Sequence, residues 1–267
     1  MYRVSPFVRR FAWALLGGVA LATVWVNLSP ASYYDAIEWR LIDRPLPEWV
    51  AGDAVVLTPM AIVSDVLMSL FLFFVGKELW EALVLSRGAL AGRRALLPAG
   101  AVAGAIVGAI AVWLAHAAVF ERAYEATPGV GWPVPVGSDI VIGYVIGRRV
   151  FGAGHPALHL LLLITIATSI IGTVILGLAY PSGGLKLLWL LVPIAACYAV
   201  WKGLNQSATA GTTEVSRRRK QALWPYALAG IASWIGVAAA GLPPELGLLP
   251  ILPAIPHADR TFGLFAE

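Results

Sequence analysis

The chain has 267 residues, of which 59% are hydrophobic and only 13% charged, and its formal net charge is +4. Soluble domains carry about 25% charged residues, so this composition, with a mean hydropathy of +0.79, excludes an ordinary soluble domain. Cys197 is the only cysteine, which excludes an intrachain disulfide and a cysteine-based metal site. Apolar runs of about 20 residues recur along the chain and predict an all-α polytopic membrane protein.

Seven apolar segments and one shorter, proline-rich segment follow one another, and we expect them to form a single membrane domain over residues 1–267. The predicted helices cover residues 11–27, 54–80, 96–119, 133–151, 157–180, 185–202 and 223–240, and the short segment covers 242–256. The stretch 28–53 is too polar to span a membrane and is rich in Trp and Tyr, which favour the membrane interface. The sequence therefore predicts seven to eight membrane segments.

Basic residues are concentrated in alternate loops. They are Arg3, Arg9 and Arg10, then Arg87, Arg93 and Arg94, then Arg148 and Arg149, and finally the run Arg217-Arg218-Arg219-Lys220. By the positive-inside rule, this pattern predicts a multi-pass protein of the cell inner membrane with both termini in the cytoplasm. Because the basic residues lie between hydrophobic runs, they do not predict nucleic-acid binding. Solvated loops and binding of anionic lipid head groups are the two interpretations that remain.

Asp139 places a carboxylate inside the apolar stretch VPVGSDIVIG (residues 134–143). Pro133 and Pro135 lack backbone donors, and the glycines at both ends of the stretch weaken a helix, so we expect a broken helix here. A carboxylate near the bilayer centre costs at least about 2.5–3.5 kcal/mol. Together with backbone carbonyls freed by the break, Asp139 is therefore a candidate cation ligand. The alternative is a kink at the membrane end, with Asp139 hydrated among head groups.

A second set of charged residues lies in the second apolar segment. Asp65 is deep in the segment, whereas Lys77, Glu78 and Glu81 lie near its cytoplasmic end. The latter three predict the mouth of a charged funnel that attracts protons or cations. The alternatives are a surface salt-bridge cluster for these three, and a packing carboxyl for Asp65, hydrogen-bonded to Ser64 or to a neighbouring helix.

Two further patterns, a glycine repeat and a histidine pair, do not predict a functional site. Gly100, Gly104 and Gly108 recur every four residues and predict a face on which another helix approaches closely. His155 and His159 have a metal-ligand spacing, but Pro156 interrupts the helix between them. The sequence therefore predicts no metal site and no cofactor.

Four stretches, in this order, resemble the NhaA family of Na⁺/H⁺ antiporters. They are LFLFFVGKELWEAL, GWPVPVGSDIVIGYVIGRRVFGAGHPA, LGLAYPSGGL and WPYALAGIASWIGVAAAGLPPELGLLPILPAIPHADRTFGLF. The family is a known example of transporters built from inverted repeats and broken helices. The resemblance implies an NhaA-like helical bundle with a broken fourth helix. It also implies that the protein belongs to a family of secondary transporters and is not an enzyme.

The resemblance also assigns site residues. The Thr-Asp of the family's unwound fourth helix corresponds to Ser138 and Asp139, and the acids of its second helix correspond to Asp65 and Glu78. The family's adjacent pair of ion-binding aspartates corresponds to Thr168 and Ser169, so both carboxylates of that pair are absent. Pro243-Pro244 stands where the family has His-Pro. The ion-binding candidates are therefore Asp139, Ser138, Thr168, Ser169 and Asp65.

Family members continue for about four more helices after a segment like PHADRTFGLFAE, so we expect the second inverted repeat to be missing from this chain. Ser and Thr oxygens do not titrate at any relevant pH, which predicts a degenerate member that acts as a membrane subunit or scaffold. The alternative is an active antiporter of Na⁺ or Li⁺ against H⁺, with an altered site or as a split half completed by a partner chain. The expected partners are the lipid bilayer, these ions, and a membrane subunit or a second copy of the chain.

Overall fold

A computed structural model describes most of the chain. The described residues are 6–50, 54–84, 95–124, 131–137, 140–152, 154–181, 183–205 and 223–255. The chain divides into two compact units. Unit 1 comprises Met1–Leu21, Val75–Ala179 and Asp259–Glu267, and unit 2 comprises Ala22–Phe74 and Tyr180–Ala258. The formation of one membrane domain over residues 1–267 stays a prediction.

The described residues are mainly helical. The α-helices are α1 (Pro6–Leu28), α2 (Pro30–Ile37), α3 (Pro59–Val84), α4 (Leu96–Tyr124), α5 (Ile140–Phe151), α6 (Pro156–Ala179), α7 (Leu191–Val200) and α8 (Trp224–Ala239). Helix α3 contains a π-helical turn, Ile62–Leu67, and a second π-helical turn, Trp201–Asn205, follows α7. Short 3-10 helices lie at Val134–Val136, Leu187–Leu190, Pro244–Leu246 and Leu249–Ala254.

Three of the described helices are long and apolar enough to cross a membrane, by length and composition. They are α3, the part of α4 from Leu96 to Val119, and α6. Trp13–Leu28, Leu187–Gly203 and Trp224–Ala239 are shorter apolar helices. These findings agree with a helical membrane protein, and the expected number of seven to eight membrane segments stays a prediction.

A β-hairpin replaces the predicted start of the second long helix. Strand β1 (Ile42–Pro45) pairs antiparallel with β2 (Ala54–Leu57). The prediction of a helix from residue 54 is therefore wrong, and the all-α class holds with this two-stranded sheet as an exception. The sequence of β2, AVVL, is rich in β-branched residues, which favour a strand. The helix begins at Pro59, because the Thr58 hydroxyl accepts a hydrogen bond from the Ala61 N–H at 3.0 Å and proline suits the first helical position.

The stretch after β1 is tied to the start of α7 within unit 2. The Lys186 ammonium donates to the main-chain oxygens of Glu48 and of Val50, the latter at 2.7 Å. The Trp49 and Trp189 rings stack with their centroids 5.4 Å apart, and the Trp189 indole N–H donates to the Trp49 carbonyl at 2.9 Å. The stretch that contains Glu48, Trp49 and Val50 is thus held by the side chains of Lys186 and Trp189.

Three predicted segments are less regular than single helices. Segment 133–151 consists of a 3-10 turn followed by α5, and 185–202 passes from a 3-10 turn through α7 into a π-helical turn. Segment 242–256 contains two 3-10 helices. Four prolines lie in its described part, and each lacks the N–H that an α-helix needs.

Helices α7 and α8 pack closely against each other in unit 2. A Cβ atom on Gly236 of α8 would lie 2.7 Å from Pro193 Cδ and 2.9 Å from Val192 Cβ. Beside this contact, Val200, Ala229, Ile251 and Ala254 form a buried cluster. The last 3-10 helix thus completes the core of unit 2 against α7 and α8.

Candidate functional site

The backbone before α5 is irregular. A 3-10 turn at Val134–Val136 ends at Gly137, whose φ of −75° and ψ of 136° are extended, and α5 begins only at Ile140. The described residues therefore depart from a continuous helix at Gly137, where the sequence carries prolines and glycines. Ser138 and Asp139 lie outside the described residues, so their roles at a helix break stay predictions.

Helix α6 lies close against this segment and against α5 in unit 1. A Cβ atom on Gly172 would lie 3.0 Å from the Gly137 nitrogen and 3.3 Å from its Cα, so a side chain there would require the Gly137 backbone to move by a few tenths of an ångström. Further along, a Cβ on Gly143 would lie 3.5 Å from Thr165 Cγ2, and one on Gly147 would lie 2.7 Å from Leu161 Cδ2. The contacts run in opposite directions along the chain, so α5 and α6 are antiparallel neighbours.

Thr168 lies one turn before Gly172 on α6, and Thr165 lies one turn before Thr168. Residues three and four apart share a helix face, so both hydroxyls lie on the face that meets α5 and Gly137. Thr168 is 1% exposed, and its hydroxyl lies 3.0 Å from the carbonyl oxygens of Ile164 and Thr165. Ser169 is half-buried at the next position. The family positions for the aspartate pair thus carry neutral hydroxyls, and the Thr168 proton is directed into its own helix.

The charged residues near the end of α3 form an ion pair. Lys77 Nζ lies 3.7 Å from Glu81 Oε1, one helical turn away. Glu81 is only 5% exposed, whereas Lys77 is half-exposed and Glu78 half-buried. The salt bridge of the alternative interpretation is present, but it includes a buried acid. A funnel-mouth role for Lys77, Glu78 and Glu81 stays a prediction.

Asp65 belongs to unit 2 and lies in the π-helical turn of α3. The Ser64 hydroxyl donates to Asp65 Oδ1 at 2.8 Å, which is the hydrogen bond expected for a packing carboxyl. The Asp65 main-chain carbonyl accepts from the Trp234 indole N–H at 3.1 Å and from the Ser69 hydroxyl. Neither Ser69 nor Trp234 is among the residues predicted from the sequence. A polar residue four positions after Asp65 in an apolar run was the available signal for Ser69, whereas nothing local indicated Trp234.

The described residues contain no group of three or more His, Cys, Asp or Glu side chains placed to hold a metal ion. The candidate ligand atoms are oxygens. Unit 1 has the threonine hydroxyls of α6, and unit 2 has the Asp65 carboxylate. Such neutral and acidic oxygens suit hard monovalent or divalent cations better than they suit soft metals.

A profile of the family described as Na⁺/H⁺ antiporter 1 matches residues 9–259. The chain belongs to this Na⁺/H⁺ antiporter family. The resemblance drawn from the four sequence stretches is therefore confirmed, and the NhaA-type family is one of secondary transporters, not of enzymes. A protein of Jannaschia sp. (strain CCS1) named Na(+)/H(+) antiporter NhaA is 40% identical to the chain.

Two further relatives with the same printed name are more distant. The protein of Geobacter metallireducens is 31% identical, and that of Desulfitobacterium hafniense (strain DSM 10664 / DCB-2) is 30% identical. The alignments cover 100%, 100% and 98% of this chain for the Jannaschia, Geobacter and Desulfitobacterium proteins. They cover 66%, 64% and 61% of those NhaA proteins, so the chain spans less than two thirds of the length of the curated relatives it matches.

Proposed function

We propose that this chain is a multi-pass inner-membrane protein of the Na⁺/H⁺ antiporter family that does not exchange Na⁺ for protons by itself, and that it acts as a membrane subunit or scaffold. The observation that carries this proposal is the chemistry of α6. Thr168 is buried, with its hydroxyl proton on carbonyls of its own helix, at a position that the family resemblance assigns to an ion-binding aspartate.

Transport of a cation coupled to protons requires negative charge that can be neutralised by protonation. A cation that loses its water in an apolar site needs negative charge nearby, because burying an uncompensated charge is costly. Coupling to protons further requires a group that binds and releases them near neutral pH, and the hydroxyls of Thr168 and Ser169 do not titrate there. Asp139 would then be a lone carboxylate at the family's site on the fourth helix.

The test is transport by the purified chain in proteoliposomes that contain a pH-sensitive dye. After addition of Na⁺ or Li⁺ under an imposed pH gradient, we expect no change of lumenal pH beyond that of empty liposomes. The Jannaschia relative, prepared in the same way, is the control for orientation and leak. Na⁺-dependent proton flux by the wild-type chain that Asp139→Asn abolishes would contradict the proposal.

The packing around Gly172 favours a second candidate, an active antiporter of Na⁺ or Li⁺ against H⁺ with an altered site. The close contact of α6 with Gly137, two residues before Asp139 in the sequence, supports this candidate, because the family resemblance assigns the ion site to these two helices. In the split-half form of this candidate, a partner chain completes the site. Flux by the complex purified from native membranes, with none by the isolated chain, would support it. Flux by neither would leave the scaffold as the function.

A further inference from the structure

The π-helical turn of α3 is a local departure from α-helical geometry inside an apolar run. The Met68 N–H bonds to the Val63 carbonyl, five residues back, where an α-helix would use the residue four back. Such a turn contains one residue more than an α-helical turn, and π-helical turns are rare and occur frequently at functional sites. Asp65 lies inside this turn, so its direction depends on whether the turn stays open.

Two side chains hold the main-chain oxygen of Asp65. The Trp234 indole N–H donates to it at 3.1 Å and also lies 3.0 Å from the Ser69 hydroxyl. The Ser69 hydroxyl contacts the same Asp65 oxygen and lies 2.8 Å from the carbonyl oxygen of Pro244. Ser69 is 1% exposed, so water does not replace these contacts. Serine bonded to the carbonyl four residues back also tends to bend a helix.

Trp234 is itself fixed within unit 2. A Cβ atom on Gly247 would lie 2.6 Å from Trp234 Cα and 2.8 Å from Trp234 Cδ1. The backbone that follows the 3-10 helix Pro244–Leu246 therefore packs closely against the tryptophan. The neighbouring Ser233 hydroxyl donates to the Gly247 carbonyl at 2.5 Å. These contacts hold Trp234 in place while its indole N–H bonds to α3.

We propose that Trp234 is a positioning residue for Asp65: with the Ser69 hydroxyl, it holds the π-helical turn open and so determines on which side of α3 the carboxylate lies. Successive residues of an α-helix are rotated by about 100°. Closing the turn to α-helical geometry therefore rotates the residues before it by about one residue relative to those after it. The inference rests on main-chain contacts and holds whether or not the isolated chain transports an ion.

The experiment measures that rotation directly. Nitroxide labels are attached to single cysteines, in a Cys197→Ser background in lipid nanodiscs, at four exposed positions. Met60 reports on the start of the helix, Val63 lies near the beginning of the turn itself, and Leu70 and Phe74 report on the part after the turn. Trp234→Phe keeps a six-membered aromatic ring and removes the N–H donor together with the pyrrole part of the indole. We expect the collision frequency with O₂ to fall at positions 60 and 63 and to stay unchanged at 70 and 74.

Trp224→Phe is the matched control, because Trp224 is an exposed tryptophan at the start of the same helix α8 and should leave all four labels unchanged. The labels at 70 and 74 report whether each variant folds. Ser69→Ala removes the second donor, and it gives the same shift at 60 and 63 should Trp234→Phe fail to fold. Unchanged collision frequencies at 60 and 63 in a folded Trp234→Phe or Ser69→Ala protein would overturn the proposal.

Discussion

Thr168 is a buried hydroxyl on the face of α6 that meets α5. It is 1% exposed, and its hydroxyl donates within its own helix, where the carbonyl oxygens of Ile164 and Thr165 lie 3.0 Å away. A hydroxyl bonded in this way is compatible with an apolar interior, because its polar hydrogen is satisfied within one turn. A carboxylate at the same position would need a partner that the helix carbonyls, which are acceptors, do not provide.

Replacing Thr168 separates these two cases. We expect Thr168→Asp to lower the free energy of unfolding by about 1–3 kcal/mol or more, because the carbonyls of Ile164 and Thr165 beside this position are acceptors and do not donate to a carboxylate. Thr168→Val should lower it by about 1 kcal/mol or less, because it removes the hydroxyl and leaves the carbonyls in their helix. Denaturation by SDS in mixed micelles, followed by tryptophan fluorescence, measures both. A Thr168→Asp protein as stable as Thr168→Val would indicate compensating positive charge and would favour the active antiporter.

At the scale of elements, a close approach of backbones determines how α6 packs against the irregular segment before α5. The atoms nearest to a Cβ on Gly172 belong to the backbone of Val136 and Gly137, so they do not move aside as a flexible side chain does. By contrast, a Cβ on Gly100, Gly104 or Gly108 of α4 meets nothing within 4 Å. The predicted close packing on these three glycines is thus absent from the described residues.

The two kinds of glycine should respond to alanine with opposite signs. Gly172→Ala should destabilise the protein by about 1–3 kcal/mol, because overpacking forces the backbone at Gly137 to shift. Gly104→Ala should stabilise it by up to about 1 kcal/mol, because alanine is the better helix former. The same SDS titration measures both variants. A neutral Gly172→Ala would show that α6 and Gly137 do not meet as described.

At the scale of the whole molecule, loop charge and apolar length predict how the chain lies in the membrane. Helices α3 and α6 and most of α4 are long enough to span a bilayer. The hairpin stretch between α2 and α3 carries acids, whereas the stretch before α8 contains the basic run Arg217 to Lys220. Positively charged loops are retained in the cytoplasm. The two stretches should therefore lie on opposite sides of the membrane, the hairpin stretch in the periplasm and the basic run in the cytoplasm.

Fusion reporters test this orientation. We expect alkaline phosphatase inserted after Glu48 to be active in the periplasm, and green fluorescent protein fused after Glu267 to fluoresce in the cytoplasm. A fusion of alkaline phosphatase after Lys220 should be inactive and serves as the control for the enzyme itself. Active phosphatase after Lys220 together with inactive phosphatase after Glu48 would reverse the predicted topology.

Much of the helical framework followed from the sequence alone. The segment predicted at 157–180 is observed as Pro156–Ala179, and the one predicted at 223–240 as Trp224–Ala239. Long apolar runs bounded by proline or charge determine such helices locally, whatever they pack against. The family was likewise evident from motif order, and the hydroxyls at 168 and 169 could be read by position. The hairpin was missed, because a short apolar run is equally compatible with a strand and with the start of a helix.

The tertiary structure alone decided which polar groups meet. Asp65 and Trp234 are 169 positions apart, and their contact depends on a π-helical turn that no periodicity of the sequence revealed. The burial of Glu81 and the approach of Gly172 to Gly137 likewise depend on how helices pack. The physical reason is that the formation of an apolar helix depends on the residues of its own segment. A hydrogen bond or a close backbone contact depends on the relative position and orientation of two segments that are distant in the sequence.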